Sequence, residues 1–207
     1  MQKHDFKNLN DVDRASCKYT RIVGGRESHI ENFPYIAAIK FIDTNLLHCA
    51  GSIISNQHIL TAAHCFYGQE ELYELLRLNE TIEFNRFQKK INLPTEDVHD
   101  ILDVILWGWG VTANPIGYFS DKLRQVTVEI LNYDECVKVF THSISEDQIC
   151  TQTPRKNASI GDSGGPVTSN DKLIGIISFN MPSYDVCPEI HCNIFKHLDF
   201  ITAMMNI

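Results

Sequence analysis

No run of eighteen consecutive apolar residues occurs in this chain, so no membrane-spanning helix is expected. An excess of basic charge is also lacking. The formal net charge is −8, which removes the electrostatic footprint of a nucleic-acid binder. Internal repeats and low-complexity tracts are absent. The opening residues Met1-Gln2-Lys3-His4-Asp5-Phe6-Lys7-Asn8 have no apolar core of the kind a secretory signal needs. Seven cysteines nevertheless suit an oxidising compartment, and the two facts together lead us to expect a start upstream of Met1. An odd count leaves at least one cysteine unpaired or joined to another chain. No ligand set with closed spacing for a metal is visible. His99, Asp100 and Asp103 read as a solvated loop.

What is present is enough for one substantial core or two small ones, since 43% of the 207 residues are hydrophobic. Residues 1–21 are polar and aperiodic and read as a leader, with Cys17 alone in it, either a free thiol or a tether. From Ile22 the pattern is that of short strands. Pro34–Ile42, Ala50–Ser55 and Ile59–Ala63 form a first set, with a turn at Asn56-Gln57-His58. Val104–Trp107, Gln125–Ile130, Pro166–Thr168 and Leu173–Ser178 form a second. Short strands punctuated this often favour a barrel or sandwich. Two segments carry helical spacing: Tyr133 to about Phe140, and the tail from about Phe195, where Leu198, Ile201 and Met205 share a face.

Three motifs carry chemistry. Gly161-Asp162-Ser163-Gly164-Gly165-Pro166 sets a serine between glycines, which permit backbone angles closed to other residues. Such a turn exposes a hydroxyl and can aim N–H groups at what it attacks. A serine needs a base, and Thr61-Ala62-Ala63-His64-Cys65 offers an imidazole. Arg21-Ile22-Val23-Gly24-Gly25 puts a basic residue before an apolar new start.

Together these motifs resemble the trypsin/chymotrypsin-like serine endopeptidases, of the arthropod chymotrypsin-like type. The resemblance runs from Ile22 to about Phe200. It implies an all-β fold of two antiparallel β-barrels with a C-terminal helix and the site in the crevice between the barrels. The chain would divide into a leader at 1–21, a truncated N-terminal barrel at 22–105, a C-terminal barrel at 106–194 and the helix at 195–207. Ser163 would attack the peptide carbonyl, and His64 would take its proton and return it to the leaving amine. Gly161 and Ser163 would supply the oxyanion hole. Cleavage after Arg21 would free the Ile22 amine, whose ammonium would pair with Asp162 and lock the loop. The resemblance also implies disulfides Cys49–Cys65 and Cys136–Cys150. It implies no cofactor, a secreted monomer, protein and peptide substrates, and protease inhibitors as partners. Trp107-Gly108-Trp109-Gly110 resembles the family's turn into the second barrel and reads as packing.

The departures are as specific as the matches. The family template spaces histidine and serine by about 138 residues and histidine and aspartate by about 45. Here Ser163 follows His64 by 99 residues, so about 39 are missing by that template. Leu75-Leu76-Arg77-Leu78-Asn79-Glu80 resembles the strand that opens with the third catalytic residue, but Leu72 falls where the aspartate belongs. Glu70, Glu71, Glu74, Asp100 and Asp103 are the acids at hand, and none has the strand context that aims a carboxylate at the imidazole. Ser178, which in the family supports that aspartate, has nothing to hold. Ser159 replaces the cysteine beside the specificity pocket, so its disulfide to Cys187 cannot form, and Cys17, Cys187 and Cys192 are left over. Cys187 and Cys192 would be too far apart in an extended segment, at about 16–17 Å, for a bond that needs about 7 Å. Asn157 falls at the pocket floor, Phe179-Asn180 replaces the usual wall, and Glu189 stands where glycine is normal. Glu189 either binds a basic side chain or plugs the pocket, and burial cost favours the plug. Asn79-Glu80-Thr81 and Asn157-Ala158-Ser159 match the glycosylation sequon, the second placed inside the pocket.

The expected function is therefore a serine endopeptidase made as a zymogen. The alternatives are an impaired homologue that binds partners, or an exon-skipped fragment of an active enzyme.

Overall fold

In the computed structural model, residues 25–66, 73–98, 103–111, 118–140, 144–180 and 188–206 are described. The leader with Cys17, the Arg21–Ile22 junction, Glu70, Glu71, Leu72, His99, Asp100 and Cys187 lie outside them.

β-branched and aliphatic residues in short runs give strands that pair locally, each antiparallel to its neighbour. β2 (Ile36–Lys40), β3 (Leu47–Ile53), β4 (His58–Thr61) and β5 (Glu74–Arg77) make a four-stranded sheet in that order. The register sets Ala37 against Gly51, Ser52 against Leu60, and Leu60 against Leu75. The third strand ends sooner than its composition suggests. At Ala63 the chain turns into one 3-10 turn through Cys65, and that turn carries His64.

The second sheet holds β1 (Arg26–Glu27), β6 (Asp103–Gly108), β7 (Arg124–Leu131), β8 (Gln148–Thr151), β9 (Pro166–Ser169), β10 (Lys172–Asn180) and β11 (Glu189–Asn193). Its order is β1-β7-β6-β9-β10-β11-β8, and β8 also pairs with β7. Six strands thus close on themselves, with β1 added outside. The architecture is mostly β, a closed barrel and a second sheet with a short C-terminal helix, the plan the sequence suggests.

The sequence reading does not find β8 or β11. β11 runs Glu-Ile-His-Cys-Asn, every residue of it buried, so no alternation of polar and apolar residues exists to be seen. Helix α1 (Tyr133–Val139) is capped by Asn132, whose side chain accepts the Glu135 amide. Helix α2 (Leu198–Met205) follows a 3-10 turn and buries Ile201 completely.

One core cluster joins the two sheets. Leu60, Ala62, Cys65 and Ile91 pack with Leu173, Ile176, Cys192 and Ile194, and Ile201 of α2 seals it. Val104, Leu106, Val126, Val128 and Val167 fill the closed barrel. Disulfides Cys49–Cys65 and Cys136–Cys150 are both present, and Cys192 is a buried free thiol.

Candidate active site

The serine turn follows from its hydrogen bonds. Gly165 N–H donates to the Asp162 carbonyl (2.9 Å), Asp162 N–H to the Ser159 carbonyl (2.9 Å) and Gly164 N–H to the Ile177 carbonyl (2.7 Å). Among the described residues the N–H groups of Gly161 and Ser163 have no intramolecular acceptor. A backbone donor left free in a half-buried turn is available to a ligand.

The same turn forms the seam with the first sheet. Ala50 N–H donates to the Ser163 carbonyl (2.8 Å). Gly164 has φ +79°, and a Cβ there would sit 2.1 Å from Thr61 Oγ1, 2.3 Å from the Ala50 carbonyl and 2.9 Å from the Ala62 amide. Only glycine fits that approach and that angle. The serine therefore rests on the residues that lead directly into the His64 turn.

His64 is half-buried. A ring nitrogen lies within 4.8 Å of both sulfurs of Cys49–Cys65. Those sulfurs are bonded to each other and offer no thiolate to a metal. Behind the turn, the His48 ring Nε2 is 2.7 Å from the Cys65 carbonyl. Burial, and then the neighbouring His48, push the His64 imidazole below its ordinary value. No carboxylate among the described residues acts on it, and no hydrogen bond there joins its ring to Ser163 Oγ. Ser178 lies half-buried at a register shift in β10.

Asp162 is fully buried. Its Oδ1 accepts from Gly110 N–H (2.6 Å) and its Oδ2 from Ser159 N–H (2.9 Å). Burial raises its pKa to about 7 against the pull of those two donors. Gly108 and Gly110 are what make room for it. A Cβ on either would stand 1.9 Å or 2.4 Å from a carboxylate oxygen. The Trp-Gly-Trp-Gly run is thus more than packing. Trp107 is buried, donating from Nε1 to Thr168 Oγ1 (2.8 Å), while the two glycines form the cradle of Asp162. The signal was the pair of glycines two residues apart, which a packing role for the tryptophans does not require.

Three residues expected at the specificity pocket come together. Asn180 on β10 pairs with Glu189 on β11. Glu189, 2% exposed, accepts the Ala158 amide at Oε1 (2.6 Å), next to buried Asn157. Among the described residues Glu189 Oε2 has no partner. Burial, and then the charge of Asp162, raise its pKa to about 8. The Asn157 sequon is enclosed, whereas Asn79 and Thr81 are exposed.

A closed antiparallel barrel, a second sheet and a serine turn seated on the residues that lead into the histidine turn make a two-lobed framework. The sequence profile described as Trypsin matches residues 22–74 and 73–201, in two stretches that meet at Tyr73–Glu74. The chain belongs to the trypsin family of serine proteases. "Hypodermin-A" of Hypoderma lineatum is 32% identical over 79% of this chain and 80% of its own length. "Chymotrypsin-2" of Vespa crabro is 28% identical over 87% of this chain and 98% of its own. Among solved structures, mouse neuropsin, described as a serine protease expressed in the limbic system of the brain, superposes with a TM-score of 0.79. That match has 22% identity and covers 88% of this chain and 99% of the other; it bears on the fold alone. Family membership brings with it a proteolytic class of activity and protein substrates. No helix among the described residues is long and apolar enough to cross a membrane.

Proposed function

We propose that this chain is a secreted, monomeric serine endopeptidase, made as a zymogen, that cuts peptide bonds through an acyl-enzyme on Ser163. Cleavage after Arg21 frees the Ile22 ammonium to pair with Asp162. A carboxyl held at a pKa of about 7 by burial is primed for that cation, because an opposite charge at contact favours its ionised form. His64 accepts the Ser163 proton as the hydroxyl oxygen attacks the carbonyl carbon. The oxyanion forms against the N–H groups of Gly161 and Ser163. When the tetrahedral intermediate collapses, the imidazolium returns the proton to the departing amine. Water then repeats the sequence and releases the acid.

The observation that carries this reading is the seating of the Ser163–Gly164 turn on Ala50 and Thr61–Ala62, the residues that lead into the His64 turn. A fluorophosphonate probe tests it. Chain cleaved after Arg21 is expected to be labelled, and Ser163→Ala is not. Absence of label on the cleaved wild-type chain sinks the enzyme reading.

One observation favours a weaker enzyme or a binding homologue as the second reading: no carboxylate of the described residues faces His64. Loss of that orienting acid costs about 10⁴ in rate in the family template. Labelling with no peptide turnover, together with tight binding of a protease inhibitor, would select the homologue.

A further inference from the structure

Two buried carboxyls grip consecutive amides of one short segment. Ala158 N–H donates to Glu189 Oε1 at 2.6 Å, and Ser159 N–H donates to Asp162 Oδ2 at 2.9 Å. The next carbonyl, of Ile160, accepts from Val111 N–H at 2.8 Å. Gly161 and Ser163, whose N–H groups have no acceptor among the described residues, follow immediately. Asp162 belongs to the turn itself, so its bond to Ser159 closes a local ring. Glu189 comes from β11, so its bond ties the segment to a strand 31 positions away, beside the tie that Val111 N–H makes to Ile160. No disulfide does that work, because position 159 is serine and cannot bridge. Glu189 is 2% exposed, and its second oxygen is enclosed with no partner among the described residues. A buried carboxyl that is left half-satisfied is costly. Its placement therefore needs a reason beyond filling space, which leucine or methionine would do at lower cost.

We propose that Glu189 is a positioning residue: its bond to Ala158 is the non-covalent clasp that holds segment 157–160, and through it the Gly161 and Ser163 donors, against β11. The catalytic consequence rests on the protease reading above; the clasp itself does not.

Charge is not what the clasp needs. Both a neutral carboxylic acid and a carboxamide keep a carbonyl oxygen that can accept from Ala158. Around Glu189 the facing positions are Thr151 on β8 and Asn180 on β10, both uncharged, and Asp162 from the turn. His191, two residues along β11, is held neutral by burial. Ionisation of Glu189 beside ionised Asp162 sets two like charges in the interior, with the Ala158 amide as the group that feels the change.

The test compares Glu189→Gln with Glu189→Ala in the full chain, by amide hydrogen exchange and by fluorophosphonate labelling after cleavage at Arg21. Glu189→Ala is expected to speed exchange at Ala158 by about tenfold, the worth of one buried hydrogen bond, and to slow labelling comparably. Glu189→Gln is expected to restore protection at Ala158 and at least half of the labelling rate. In the wild type the Ala158 amide resonance is expected to titrate near pH 8, and in Glu189→Gln it does not. If Glu189→Ala leaves Ala158 protection unchanged, or Glu189→Gln is as damaging as alanine, the clasp is wrong. If Glu189→Ala does not fold, Glu189→Gln carries the test, and loss of Ala158 protection in that variant overturns the clasp. Failure of the wild type to label, with the exchange results as expected, rejects the protease reading and leaves the clasp standing.

Discussion

The barrel of β6–β11 and the sheet of β2–β5 differ in one respect that governs the others. The barrel has no free edge among its six strands, because β8 pairs with both β11 and β7. The four-stranded sheet ends at β2 on one side and β5 on the other. A closed ladder pairs every backbone group and can then enclose polar side chains. Accordingly, among the described residues the barrel side buries Asp162, Glu189, His191 and Asn193, whereas the sheet buries Ser52, His58 and Thr61 and no acid. The closed half carries Ser163 and the buried acids, and the open half carries His64 and the residues on which the serine turn rests.

The sharpest way to break that comparison is at the seam. Gly164→Ala adds a Cβ at φ +79° against Thr61 and Ala50. Strain and overpacking together are expected to cost about 2–5 kcal/mol, read as a fall in the urea midpoint and loss of Ser163 labelling. Next come two leucines of equal burial, Leu106 in the barrel and Leu60 in the sheet. Truncation to alanine should cost about 3–5 kcal/mol at Leu106 and about 2–3 at Leu60, because an open sheet collapses onto a cavity more easily. Equal or reversed losses in denaturant titrations would erase the distinction.

The disulfides allow a finer comparison. They close loops of similar length, with separations of 16 and 14 residues, and removal of either by serine should cost about 3 kcal/mol. Only loss of Cys49–Cys65 should also slow Ser163 labelling, since it frees the turn that bears His64.

The smallest expected effect is a pH slope. Asp162 and Glu189 have folded values raised to about 7 and about 8. A raised acid binds more protons folded than unfolded, so stability falls as pH rises from the ordinary carboxylate range toward the folded value. The buried histidines act oppositely. His191 at about 3 and the lowered His64 lose stability as pH falls below the ordinary histidine value. The acids therefore stand alone between about pH 6.5 and 8, where stability should drop by about 2 kcal/mol. Glu189→Gln should flatten that slope in denaturant titrations.

Much of this was readable from residues. The strands of aliphatic and β-branched runs, both helices, the serine turn, the histidine and two disulfides follow from periodicity and from motif resemblance. β11 was not readable, because burial on both faces allows Glu, His, Cys and Asn in one strand when each is satisfied from within. Nor was the grip of Glu189 on Ala158. A hydrogen bond spanning 31 positions leaves no local trace. Leu72, which the resemblance aligns with the third catalytic residue, was legible only as a mismatch. The two-part profile match that meets at Tyr73–Glu74 falls at the same point of the chain.

The carbonyl of Ser163 is bonded to Ala50, which makes the proposed nucleophile itself a rivet between the lobes. Any drift of one lobe against the other must pull on it. Loss of labelling on warming should therefore precede the melting of either core, and the protein should fall silent before it falls apart.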